Sequence, residues 1–159
     1  MAFKSWRGDI GVIKPTHRPG SLEEFIRLLP EGIGVVPFFL GIQRGTAEEF
    51  RAAINAYEDV VAELAKLEVD LIHPEGAPPF MFQGFEGEKK LIESWEERYG
   101  IPMVTSGQTQ VEALRALHMK NIVVSAYTNG ETNAMVTAYL EEAGFNVLEN
   151  AGIEIPFEQ

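Results

Sequence analysis

The sequence has no cysteine among its 159 residues, which removes disulfides, thiolate metal sites and any thiol acid, base or nucleophile from this chain. Basic residues are scarce: 13 Lys and Arg stand against 24 Asp and Glu, for a formal net charge of −11. Such a surface repels phosphate backbones and anionic lipids, so nucleic acid and membrane are excluded as expected partners. No apolar run approaches the ~18 residues a membrane helix needs. Residues 1–7 lack the apolar segment of an export signal, and the reading is of a cytoplasmic protein. No Gly-Lys-Ser/Thr phosphate loop and no Gly-rich dinucleotide fingerprint follows a strand. The histidines His17, His73 and His118 are far apart in sequence and make no His-Glu-x-x-His or similar ligand motif, and no metal is expected.

What remains is an ordinary globular composition, 45% hydrophobic and 23% charged, in which strand and helix periods alternate from end to end. Residues 9–13 form a short β-branched run ending before Pro15. Residues 21–26 open a helix, with a capping-box spacing from Ser21 to Glu24. Residues 33–40 are nearly all apolar, as in a strand buried on both faces of a parallel sheet. Thr46 caps a helix over 47–67 with Phe50, Ile54, Tyr57, Val61, Leu64 and Leu67 spaced three and four apart. Residues 69–73 and 102–105 read as strands, with a Pro/Gly-rich loop over 74–84 and a helix over 87–99 capped by Gly100. A helix over 109–117, a strand over 122–126, a helix over 132–143 and a last strand over 145–148 complete the chain. Repeated β-α-β units imply an α/β fold, with parallel strands, right-handed crossovers and helices on both faces. The span from about Gly8 to Thr105 is expected to form a four-stranded parallel sheet. The expected division is a first α/β, flavodoxin-like domain over residues 1–115 and the start of a second, similar and incomplete half over 116–159.

In open parallel sheets ligands bind beyond the carboxyl ends of the strands, which points to residues 14–19, 41–45, 74–84, 106–110 and 127–131. His17 and Arg18 offer donors for a carboxylate, although an exposed loop accounts for them equally. His73 either lines the cleft or is buried and hydrogen-bonded, and His118 reads as a helix-end surface residue. Glu93, Glu96 and Glu97 read as a solvated helix face. The apolar stretch over residues 74–84 must be covered or line a pocket, since exposed apolar surface at a strand end costs solubility.

Several segments, in order along the chain, resemble the Asp/Glu racemase superfamily in its maleate cis-trans isomerase and arylmalonate decarboxylase branch. These are Ile13-Lys14-Pro15, the loop from Gly76 to Gly84, Val104-Thr105-Ser106 with Val111-Glu112-Ala113-Leu114, Ser125-Ala126-Tyr127-Thr128, and the helix end Tyr139-Leu140-Glu141-Glu142-Ala143-Gly144-Phe145. The resemblance implies two similar α/β halves with a site between them, and cofactor-free proton transfer next to the carboxylate of a small carboxylic or dicarboxylic acid: isomerase, racemase or decarboxylase (lyase) chemistry. Racemases and isomerases of this kind place one cysteine on each half. Arylmalonate decarboxylases keep only the second and have Gly at the first position, which Gly76 matches here. Where decarboxylases follow that Gly with Thr and Ser hydroxyls, this chain has Ala77 and Pro78. The resemblance implies Tyr127 as an oxyanion donor and a substrate site of Pro15, His17, Arg18, Gly76, Ala77, Pro78, Tyr127 and Thr128, with Gly76 and Ala77 N–H groups as further oxyanion donors. No cofactor is expected, the expected partner is a small carboxylate or dicarboxylate, and a homo-oligomer stays open. The chain reads as a truncated member of such a family, and by itself as inactive; the alternative is a catalytically silent carboxylate-binding or interaction protein of the same fold.

Overall fold

A computed structural model describes residues 5–17, 20–126 and 130–152. The element order is β1 (Gly8–Lys14), α1 (Gly20–Leu28), β2 (Ile33–Phe39), α2 (Ala47–Lys66), β3 (Leu71–Pro74), α3 (Ala77–Met81), α4 (Phe85–Tyr99), α5 (Ser106–Ala116), β4 (Asn121–Ala126), α6 (Gly130–Glu142) and β5 (Asn146–Gly152). The expected α/β class holds: β1 pairs in parallel with β2 on one side and β3 on the other, giving the order β2-β1-β3, and β4 pairs in parallel with β5 in a second sheet.

The first sheet is sealed by α2 and α4 on one face. Ile13, Ile72, Tyr57, Val61, Leu64, Phe80, Ile92 and Trp95 form its core. Gly11 permits this close approach, because a Cβ there would lie 2.7 Å from a Leu64 methyl. The helix α2 starts where the sequence places it, since Thr46 and Glu49 form a complete capping box. Its buried stripe is Phe50, Ala53, Tyr57, Val61 and Leu64. Ile54 only packs against the edge of that core, and Leu67 is the exposed C-cap.

Three expectations need correction. The fourth strand, over residues 102–105, is reduced to a single parallel bridge between Ile72 and Met103. Pro102 has no N–H to donate, and Thr105 leaves the ladder to become the N-cap of α5, in a capping box with Gln108; α5 therefore begins three residues before the expected 109. The loop over 74–84 contains the helix α3, with Pro in its first turn, where a missing N–H costs nothing. Its Phe80 is buried edge-on against Tyr57, ring centroids 4.9 Å apart, and Trp95 at 6.2 Å, so the apolar stretch is covered rather than exposed. Finally, α1 starts at Gly20, and the Ser21 side chain bonds to Lys14 and Glu75 rather than serving as the expected cap.

The second sheet is packed by α5, α6 and part of α3 through Met81, Val111, Ile122, Tyr139, Leu140 and Phe145. Its other face, with Val123 and Leu148, is exposed. A carboxyl group lies between the two cores: Glu88, on α4, is 0% exposed and accepts a hydrogen bond from Tyr139 Oη on α6.

Candidate functional site

Backbone hydrogen bonds beyond the strand ends draw the loops of the first sheet together. Leu40 N–H donates to Lys14 O at 2.9 Å, Ile42 N–H to Pro15 O at 2.7 Å, and Glu75 N–H to Ile13 O at 2.9 Å. The Gly76 N–H donates to Ser106 Oγ at 3.2 Å, which ties in the turn before α5. These contacts bring Pro15, Gly76, Ala77 and Pro78 of the expected site to one place, at the carboxyl ends of β1 and β3.

Gly76 is required there by its backbone and by its neighbours. Its φ of +102° lies where side chains are rarely tolerated, and a Cβ would stand 2.9 Å from Pro15 Cγ and 3.1 Å from Tyr57 Oη. Tyr57 Oη donates to the Glu75 carbonyl at 2.6 Å. Burial, with the nearby Glu75 charge, pushes the Tyr57 phenol well above its ordinary value, so it stays a donor. Sequence reading took Tyr57 only as part of a helix stripe; its role beneath the Glu75–Gly76 turn leaves no local signal. The amides of this turn are few. The Gly76 N–H, expected as an oxyanion donor, is engaged by Ser106, and Pro78 and Pro79 have no N–H, leaving that of Ala77.

His17 is exposed, stacks on Phe39 with ring centroids 6.0 Å apart, and lies over Gly41, where a Cβ would approach His17 Nε2 to 2.8 Å. It therefore borders the same strand ends from the β2 side. Arg18, Tyr127 and Thr128, the remaining expected site residues, lie outside the described residues. Of the other histidines, His73 Nδ1 is 2.7 Å from Val104 O and its ring stacks on Phe25, whereas His118 ends α5 in a left-handed turn.

A charged cluster that sequence reading missed flanks this turn. Lys14, at the end of β1, is buried; its Nζ donates to both carboxylate oxygens of Glu75 at 3.0 Å and to Ser21 Oγ, while Ser21 Oγ donates to Glu75 Oε1 at 2.8 Å. The sequence pointed to Lys14 and Glu75 only within the post-strand segments 14–19 and 74–84, without pairing them, because the two are 61 residues apart. Further off, burial raises the Glu88 carboxyl above its ordinary value, while hydrogen bonds from Thr105 and Tyr139 oppose that shift. The Glu96 carboxylate, read as solvated, accepts the Met103 N–H at 2.7 Å and helps hold the bridge segment. Among the described residues, no group of three or more His, Asp or Glu is placed to hold a metal ion, and no helix is long and apolar enough to cross a membrane.

Parallel β-α-β units define a class of α/β proteins that place small-molecule sites at the carboxyl ends of their strands. Within that class, the sequence profile of the arylmalonate decarboxylase family matches residues 10–156, and the chain belongs to this family. It is 30% identical over 115 residues to a maleate isomerase of Pseudomonas putida, an alignment covering 69% of this chain and 46% of that protein. The crystal structure of a Pseudomonas putida maleate isomerase variant with maleate superposes with a TM-score of 0.82 at 19% identity, covering 94% of this chain and 64% of that one. A crystal structure of arylmalonate decarboxylase gives a TM-score of 0.75 at 20% identity, covering 92% and 64%. The chain thus spans about half the length of the curated relative and under two thirds of these structures.

Proposed function

We propose that this chain carries the carboxylate-gripping part of an enzyme that moves a proton, without a cofactor, at the carbon next to a carboxylate of a small carboxylic or dicarboxylic acid. The observation that carries this reading is the convergence of Pro15, Gly76, Ala77 and Ser106 at the carboxyl end of the first sheet in a member of the arylmalonate decarboxylase family. The reaction class follows from relatives named maleate isomerase and arylmalonate decarboxylase. In this reading Tyr127 donates to the developing oxyanion, and His17, Arg18 and Thr128 grip a carboxylate.

Proton transfer at such a carbon needs an acid–base group matched in position and pKa. With no cysteine in the sequence, that group is not a thiol of these 159 residues, and the chain by itself binds without turning over. The first-turn residues Ala77, Pro78 and Pro79 support the same division, since they contribute no side-chain hydroxyl to hold an enediolate. A silent carboxylate-binding protein of the same fold is the second reading, favoured by those same residues.

Titrating maleate, malonate and succinate into the purified chain, with parallel assays for isomerisation and decarboxylation, tests this. Millimolar binding weakened by Arg18→Ala and Tyr127→Phe, with no turnover, is expected; two or three charge-assisted hydrogen bonds of roughly 1.5–3 kcal/mol each suffice for it. Binding that is absent at tens of millimolar, or identical in all three proteins, overturns it.

A further inference from the structure

The chain holds one buried cation among its described residues, and it is already neutralised from within. Lys14 is 2% exposed, at the end of the central strand, in the position where open parallel sheets present residues to ligands. Its ammonium donates to both Glu75 carboxylate oxygens and to Ser21 Oγ. The Glu75 carboxylate receives both the ammonium and the Ser21 hydroxyl, which is how a carboxylate ligand would be held. The three members differ in access: the Glu75 side chain keeps 24% of its surface, and Ser21 is exposed. A buried ammonium and an exposed hydroxyl are thus both satisfied by one partly exposed carboxylate of the same chain.

We infer that Lys14 and Ser21 form a carboxylate-binding site now occupied by Glu75, and that a small carboxylate or dicarboxylate enters by displacing the Glu75 side chain. This rests on the reading that the chain binds small carboxylic acids, and it adds to Arg18 a buried cation that holds them on a surface of net charge −11. Glu75 is tethered beside Lys14 and competes at high effective concentration. Only molecules with Glu75 swung out accept a ligand, so the apparent dissociation constant is the intrinsic one divided by that open fraction. The Lys14 charge cannot easily stay buried without a partner, which makes exchange of one carboxylate for another the low-cost route.

The test is malonate titration of the full 159-residue chain, followed by NMR, in the wild type, in Glu75→Gln, and in Glu75→Gln with Lys14→Met. Gln keeps the shape and an acceptor oxygen but releases the competing charge. The inference expects Glu75→Gln to bind malonate at least roughly tenfold more tightly than the wild type, and the added Lys14→Met to abolish that gain. Equal or weaker binding by Glu75→Gln overturns it, and if the wild type still binds malonate the broader carboxylate reading survives. Should neither protein bind, both fall. If Glu75→Gln fails to fold, the Glu75 side-chain carboxyl carbon of the wild type is followed instead under saturating malonate. Movement of that resonance toward the position of a free carboxylate supports displacement, and an unmoved resonance overturns it.

Discussion

The two sheets of this chain are built from the same β-α-β unit but are finished differently. In the first, Val12, Ile13 and Ile72 are fully buried, and the strand ends are locked by backbone bonds to Pro15, Lys14 and Ile13. In the second, α6 covers one face while Val123 and Leu148 on the other are 65% and 64% exposed. Parallel sheets are normally covered on both faces. The difference shows where fixed geometry is available in these residues: the turn at Gly76 is held from four directions, by Pro15, Tyr57, Ser106 and the end of β1. The Gly76 turn is therefore positioned mainly by the first sheet, with Ser106 at the start of α5 as its tie to the second core.

Truncating one apolar side chain in the first core and one on the open face of the second sheet tests this contrast most severely. Phe80→Ala, which empties the space between Tyr57 and Trp95, is expected to cost about 3–5 kcal/mol in urea unfolding, whereas Leu148→Ala stays within about 0.5 kcal/mol. A comparable loss at Leu148 would show that the second face is covered in solution.

A smaller effect separates backbone conformation from packing. Gly76 and Gly144 share nearly the same φ, +102° and +98°, but a Cβ at Gly144 meets nothing within 4 Å. Gly144→Ala should lose about 1–3 kcal/mol from conformation alone, and Gly76→Ala should lose clearly more because of Pro15 and Tyr57. Equal losses would mean that the Gly76 turn is not tightly packed.

The junction between the cores should show itself in pH dependence. Burial raises the Glu88 carboxyl, so the folded chain holds that proton more firmly than the unfolded one. Its contribution is then full below the ordinary carboxyl value and is lost as pH rises from there through the raised value. Glu88→Gln, with a side chain neutral at every pH, should flatten this part of the stability profile. An unchanged profile in urea unfolding across pH 4 to 8 would show that Glu88 is not its source.

Much of the frame was legible in sequence because it rests on local signals. Thr46 marked the start of α2, Gly100 the end of α4, and the apolar run over 33–40 a strand of a parallel sheet. The misreadings arose where tertiary contacts outweigh local pattern. Pro78 and Pro79 suggested a loop, but their positions fall in a first helical turn whose Phe80 is pulled into the core. The pattern over 102–105 suggested a strand, but the capping bonds of Thr105 draw it out of the ladder. At the site, Gly76 and Pro15 were visible as residue types at strand ends. Tyr57, Lys14, Ser21 and Glu75 were not, because each acts through a partner distant in sequence.

The central claim is that small carboxylates bind at the carboxyl end of the first sheet. Backbone amide NMR under malonate titration addresses it directly, since both sheets report in one experiment. The account predicts saturable shifts at Thr16, His17, Gly41, Gly76, Ala77 and Ser106, with the β5 amides from Asn146 to Leu148 unmoved. Shifts centred on β4 and β5, or no saturable shift at tens of millimolar malonate, would contradict it.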